Sequence, residues 1–142
     1  SLIPGLKAEC KKLGISDCVV FTGLVESPMV KKYLSECRIL TITRPSTVQT
    51  NAGFPTKLGE YFATKKPVLA TNFGDMEMYF TDGLDIILAE CGNPISISQK
   101  IRWMLENTNE LVSISEQGYI KARQLLEYKS SIKRIINLLD CK

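Results

Sequence analysis

Histidine is absent from all 142 residues, and with it go the Ser-His and Cys-His nucleophile pairs and the commonest metal ligand. The five cysteines (Cys10, Cys18, Cys37, Cys91 and Cys141) are odd in number, scattered and never spaced as C-x-x-C. That argues against a disulfide framework or a zinc cluster, so they read as reduced thiols, mostly filling the core. No apolar run approaches the roughly 18 to 20 residues a membrane-crossing helix needs, and no charged-then-apolar leader precedes the first residues. Neither insertion nor secretion is therefore expected, and the expected address is cytoplasmic. Charge of one sign is also scarce: 18 Lys and Arg against 15 Asp and Glu leave a net charge of +3. Spread over the chain, this is too mild for a nucleic-acid partner, though it suits a small anionic ligand or a passing membrane surface. A solvated surface is the simpler account.

What is present looks globular, with 44% hydrophobic and 23% charged residues, neither disordered nor fibrous. The length allows one domain with one core, expected over residues 1–142. Short apolar runs alternate with longer segments of helical period. GLKAECKKL (5–13) reads as a helix closed by Gly14, and CVVFTG (18–23) as a buried strand stopped at Gly23. Ser27-Pro28 is expected to cap a second helix carrying Met29, Val30, Tyr33, Leu34 and Cys37 on one face, ahead of the strand ILTIT (39–43). A third helix is expected from Pro55 to about Lys65 with Leu58, Tyr61 and Phe62 inward, followed by VLAT (68–71). A short helical piece over 75–80 and a turn at Asp82-Gly83 lead to the strand DIILA (85–89). Asn93-Pro94 should cap a helix with Ile97, Ile101, Met104 and Leu105 inward. Two more helices close the chain, over 109–126 and 130–140, the last carrying Ile132, Ile135, Ile136 and Leu139. No internal repeat or low-complexity linker interrupts the pattern.

Strands apolar on both faces and separated by helices imply an α/β fold: a doubly wound, Rossmann-like parallel sheet with helices on both faces. Such sheets usually open on a strand feeding a glycine-rich turn, whereas this chain opens at or just before a helix. The expectation is a domain lacking its first strand, the greater part of a unit from a longer protein, with SLIPG (1–5) the remnant of its first loop.

The stretch AGFPTKLGE (52–60) falls where a strand gives way to a helix, the place where open parallel sheets bind ligands. Gly53 lets backbone approach a ligand without a Cβ, and Pro55 presets the first helical turn. The N–H groups of Thr56, Lys57 and Leu58 would then point at whatever lies over the helix start, an anion seat to which Lys57 adds a charge and Thr56 a hydroxyl. Glu60 lies five residues past Pro55, roughly 7 to 8 Å along a helix axis, a reach comparable with that from a diphosphate to the ribose diol of one nucleotide. Against this, Pro-Thr is ordinary helix punctuation, and an early Glu is favoured by the helix dipole alone.

GFPTKLGEYFATKKPVLAT (53–71), with VVFTGLV (19–25) before it and DGLDIIL (82–88) after, resembles the C-terminal, nucleotide-sugar-binding domain of retaining glycosyltransferases of the GT-B architecture, glycosyltransferase family 4. The likeness runs from about residue 3 to the end. More narrowly, RPSTVQTNAGFPTKLGEY (44–61) is similar to a branch common in bacterial surface-polysaccharide synthesis. By that resemblance Glu60 binds the ribose of the donor nucleotide. Gly53, Phe54 and Pro55 face the donor sugar and diphosphate through their backbone, and Thr56, Lys57 and Leu58 open the helix beneath the phosphates. Gly23, Leu24 and Val25 form the turn against which the base packs. The family's first Glu, which contacts donor-sugar hydroxyls, is replaced here by Ala52, with Asn51 or Gln49 as substitutes.

The resemblance implies transfer of a sugar from a UDP-, GDP- or ADP-sugar to a glycan or lipid-linked acceptor held by an N-terminal domain that this chain does not contain. The configuration is retained, and neither cofactor nor metal is needed. Charge growing on the leaving diphosphate would be stabilised by Lys57 and the helix start near Pro55. The chain alone is expected to be inactive. The Lys and Arg run at 121–134 would touch anionic lipid at the inner face of the cytoplasmic membrane, or simply be a solvated helix face. Arg44, Pro45 and Ser46 could line the cleft. Gly74, Asp75 and Glu77 follow a strand where the family has a Gly-Gly-x-x-Glu-like segment, and Trp103 reads as core rather than as a sugar platform. Two alternatives stay open: a nucleotide-sugar 2-epimerase of the same architecture, and a non-catalytic α/β binding or scaffold domain in which Ala52 marks lost activity.

Overall fold

The computed structural model describes residues 2–126 together with Tyr128, Ile132, Ile135, Ile136 and Leu139. Packing divides the chain into two compact units, Ser1–Lys32 and Tyr33–Lys142. In the first, α1 (Ile3–Lys12) carries proline in its opening turn and Lys11 and Lys12 in its last, opposite the negative end of the helix dipole. Gly14, at φ 68°, then takes the left-handed conformation that turns the chain away. A 3-10 turn, Ser16–Cys18, follows.

The strand expected over 18–23 is not formed. Val19 has extended angles, φ −121° and ψ 121°, yet none of these residues joins a ladder, and Val20 is 81% exposed. Apolar β-branched sequence supplies strand geometry, but a strand also needs a neighbour for its N–H and C=O groups, and the described residues provide none. The cysteines also depart from expectation: Cys18 and Cys37 are exposed, and Cys10 and Cys91 are half-buried. Cys10 and Cys18 belong to a unit with no buried residue among those described, and Cys37 follows a helix that has none either. Cys141 lies outside the described residues.

Helix α2 (Ser27–Glu36) contains the division between the units. The Glu26 carbonyl accepts from the N–H groups of Met29 and Val30 at 3.0 and 3.1 Å, so Glu26 holds the cap position and Ser27-Pro28 forms the first turn. On the expected inward face only Val30 and Leu34 are half-buried, while Met29, Tyr33 and Cys37 are exposed. A helical period marks the face that could be covered, not whether anything covers it.

The second unit is built on a parallel sheet of β1 (Leu40–Ile42), β2 (Val68–Thr71) and β3 (Ile87–Ala89), in the order β1-β2-β3. Leu40 lies opposite Val68, and Leu69 opposite Ile87. Alternation across the pleat feeds two cores. Ile42, Val68, Ala70 and Leu88 face α4 (Lys57–Ala63), α5 (Met76–Tyr79) and the far half of α7 (Thr108–Leu126) through Leu58, Phe62, Met76 and Ala122. Leu69, Ile87 and Ala89 face α6 (Pro94–Glu106) and the near half of α7 through Met104, Leu111 and Ile114. Helices on both faces of a parallel sheet make this a doubly wound, Rossmann-like α/β fold.

Gly118 allows α7 to serve both layers. A Cβ there would lie 2.6 Å from Phe62 Cε1 and closer still to the Asp85 carbonyl oxygen. On α6, the side chain of Asn93 accepts from the N–H groups of Ile95 and Ser96, as its place before Pro94 predicts. Ile97, Ile101 and Met104 pack inward. Leu105 and Trp103, expected inside, are 47% and 37% exposed, because each flanks Met104 by about 100° of helical turn. The helix expected over 130–140 lies largely outside the described residues; Ile132, Ile135, Ile136 and Leu139 are helical and exposed.

Candidate functional site

The loops leaving the carboxyl ends of β1, β2 and β3 are fastened to one another. Thr71, the last residue of β2, accepts from the Arg44 N–H at 2.8 Å and donates its hydroxyl to the Arg44 carbonyl at 2.7 Å. Cys91, beyond β3, donates its thiol to the same carbonyl at 3.0 Å. Arg44 thus serves the site region through its backbone. The chain next makes the one-turn helix α3 (Val48–Asn51), closed by reciprocal bonds between Thr47 and Thr50.

Asn51 ends that helix and ties two loops together. Its Oδ1 accepts from the Gly74 N–H at 3.1 Å, and its Nδ2 donates to Ser46 Oγ at 3.0 Å. Gly74 has φ 55°, and a Cβ there would stand 3.2 Å from the Asn51 carbonyl oxygen, so only glycine fits this approach without displacement. The result is a cavity of about 430 Å³ outside the ends of β1 and β2. Asn51, Ala52, Gly53, Phe54 and Pro55 form one wall; Phe73, Asp75, Met76 and Tyr79 form the opposite one, with Leu125 and Leu126 of α7 behind. Phe54 packs edge-on against Tyr79, ring centroids 5.6 Å apart, and stacks on Phe80 at 6.4 Å.

The residues singled out from the sequence divide into four groups. Asn51, Gly53, Phe54 and Pro55 line the cavity. Thr56, Lys57 and Glu60 are exposed, and among the described residues the Lys57 and Glu60 side chains have no hydrogen-bond or ion-pair partner. Leu58 is fully buried, its side chain in the core and its N–H donating to the Pro55 carbonyl at 3.0 Å. That N–H is therefore spent within the protein. Helix α4 starts at Lys57 rather than at Pro55, with Thr56 as a cap that makes no side-chain bond. Gly23, Leu24 and Val25 belong to the Ser1–Lys32 unit, where Gly23 has φ 63° and Leu24 is fully exposed.

Electrostatics near the site are mild. Burial, followed by the Glu60 carboxylate and Cys37, pushes the Tyr61 hydroxyl above its ordinary value, so it stays a neutral donor at physiological pH. Of the two acids after β2, Glu77 is held by the Asn72 amide at 2.7 Å, while the Asp75 carboxylate has no such bond among the described residues. Sequence reading passed over Phe73, Met76 and Tyr79; Gly74 was the only local signal that this loop bends toward Asn51. Leu125 and Leu126 gave none, since tertiary crossing alone brings them there. Trp103 lines a separate cleft of about 410 Å³ beside the Lys100–Asp82 ion pair at 2.6 Å.

Among solved structures, the fold is similar to the Anabaena protein Alr3699/HepE, solved with UDP and glucose, at TM-score 0.83 and 19% identity. That match covers 99% of this chain and 36% of that one. It is also similar to the C-terminal domain of a glycosyl transferase group 1 family protein, LpcC, from Francisella tularensis, at TM-score 0.74 and 19% identity, over 87% of this chain and 62% of that one. A glycosyltransferase from Rickettsia africae ESF-5 matches at TM-score 0.79 and 16% identity, over 96% and 35%. The chain thus spans little more than a third of the Anabaena protein. No curated protein sequence matches it. The family model of glycosyl transferases group 1 matches residues 5–121, most of the chain and all three strands, and on that match the chain belongs to the group 1 glycosyltransferases.

Proposed function

We propose that this chain is the donor-binding half of a retaining glycosyltransferase, which moves a sugar from a nucleoside-diphosphate donor to a glycan or lipid-linked acceptor held by a preceding domain. The observation that carries the proposal is the cavity outside the carboxyl ends of β1 and β2, walled by the loop Asn51–Pro55, in a chain of this family. The UDP-bound Anabaena protein of the same fold supports a nucleotide sugar as the ligand.

In this reading Gly53 and Pro55 keep the loop backbone close to the sugar-diphosphate link. Thr56 and Lys57, exposed at the start of α4, meet the diphosphate with a hydroxyl and a positive charge. The C–O bond from the anomeric carbon to the diphosphate breaks while the acceptor hydroxyl oxygen bonds on the same face and passes its proton to the departing phosphate oxygen; Lys57 stabilises the remaining charge on the phosphate. Glu60, one turn into the helix, accepts from the ribose diol. The chemistry described needs no metal.

The test is a calorimetric titration of the full-length protein with UDP, GDP and ADP and their glucose conjugates. One nucleotide should bind in the micromolar range. Lys57→Ala should weaken it about tenfold, as expected for a lost charge-assisted hydrogen bond. Glu60→Gln should weaken the ribonucleotide more than its 2′-deoxy analogue. No binding by any nucleotide removes the proposal; unchanged affinity in Lys57→Ala removes Lys57 from the site, and equal losses in Glu60→Gln remove the ribose contact.

A further inference from the structure

We infer that Asp75 selects the sugar in this cavity, accepting hydrogen bonds from the hydroxyls of a neutral ring and repelling a sugar that carries its own carboxylate. The inference rests on the donor reading above and adds to it the chemical class of the sugar. Among the described residues lining the cavity Asp75 is the one that is charged, and it faces a wall in which position 52 is alanine and contributes no polar side chain.

Two other polar side chains nearby are committed. The Asn51 amide is held by Ser46 and Gly74, and Glu77, on the same loop as Asp75, is held by Asn72 and lies outside the cavity lining. Asp75 is exposed, and its carboxylate accepts no hydrogen bond among the described residues. The Asn51–Gly74 bond fixes the backbone one residue before it, so the carboxylate is presented from an anchored loop.

The remaining lining is aromatic and aliphatic: Phe54 and Tyr79 meet edge to face, and Met76 lies beside them. A carboxylate beside aromatic rings suits a pyranose, whose C–H face packs on the rings while vicinal hydroxyls donate to the two oxygens. The same negative charge disfavours an anion, so the diphosphate belongs at the Thr56–Lys57 end of the loop and the neutral ring at the Asp75 end. Sugar identity would thus be read by the loop after β2 and the phosphates by the loop after β1.

The experiment titrates wild-type and Asp75→Asn full-length protein with UDP, GDP and ADP, with their glucose conjugates, and with the matching glucuronate conjugate of whichever base binds. Asp75→Asn should leave the bare nucleotide unchanged, weaken the glucose conjugate by about tenfold, the scale of a hydrogen bond to a charged group, and narrow the preference for glucose over glucuronate. Asp75→Ala should repeat the first two effects. If the variants bind nucleotide and conjugate as wild type does, or lose both equally, this inference falls while the donor reading stands. Unchanged rejection of glucuronate in Asp75→Asn overturns the electrostatic exclusion. Wild-type protein that binds none of these ligands overturns both.

Discussion

Asp85 shows how one buried group can make stability depend on pH. It is only 4% exposed, and its Oδ1 accepts from the Thr81 N–H at 2.8 Å. Burial pushes its carboxyl above the ordinary value, and the Thr81 N–H and the Lys121 charge offset that only in part. A raised folded value means that the native state holds the proton more tightly than the unfolded chain does. Stability from this group is therefore greatest in acid and is lost as pH rises through the raised value. Asp85→Asn keeps the acceptor for Thr81 and removes the buried charge. The variant should unfold at the same or a higher temperature than wild type at pH 7, and the gap should close as the pH falls toward 4. Melting curves between pH 4 and 8 read this directly, and a variant clearly less stable at pH 7 would show that the charge itself is needed, through Lys121.

At the scale of elements, α7 decides whether the two layers of the second unit hold together. Its near half packs with Leu111 and Ile114 under one face of the sheet, and its far half with Ala122 under the other. The crossing point is Gly118, pressed against Phe62 and the Asp85 carbonyl. On helix propensity alone Gly118→Ala should gain about 1 kcal/mol. The new methyl, however, meets backbone and an aromatic ring that is itself stacked on Phe80 at 5.0 Å, and forcing volume into a packed core costs about 1–3 kcal/mol, sometimes more. Overpacking should win, with a net loss of up to about 2 kcal/mol in urea unfolding at unchanged slope. A midpoint equal to wild type or higher would mean that the helix can shift at no cost.

The same crossing explains what could be read in advance. ILTIT, VLAT and DIILA announced β1, β2 and β3 because a sheet covered on both faces leaves no polar alternation in its strands. That Gly53, Phe54 and Pro55 form a loop between strand and helix was legible because local backbone demands are written locally, and the structure places all three in the cavity wall. The opposite wall was not. Tyr79 enters through packing on Phe54, and Leu125 and Leu126 arrive by way of a helix that starts under the other face of the sheet. Cys18, Val20 and Trp103 failed in one common way: an apolar type shows what could be buried, and only a covering neighbour makes it so.

For the whole molecule, the contrast lies between the two units. Residues 2–32 contain no buried position, and Leu2, Leu6, Leu13, Val20 and Leu24 are between 53% and 104% exposed. The second unit holds both cores, with Leu69, Ala70 and Ile86 at 0% exposure. Stability follows buried apolar area, and local opening is cheapest where little is buried. Residues 2–32 should therefore open without disturbing the sheet. In hydrogen exchange on the 142-residue chain, amides of α1 should exchange on the order of a hundredfold or more faster than those of β2, which is hydrogen-bonded on both sides within the sheet. Comparable protection in α1 and β2 would mean that α1 gains cover from something other than its own unit, and the exposed leucines would then mark the covered face.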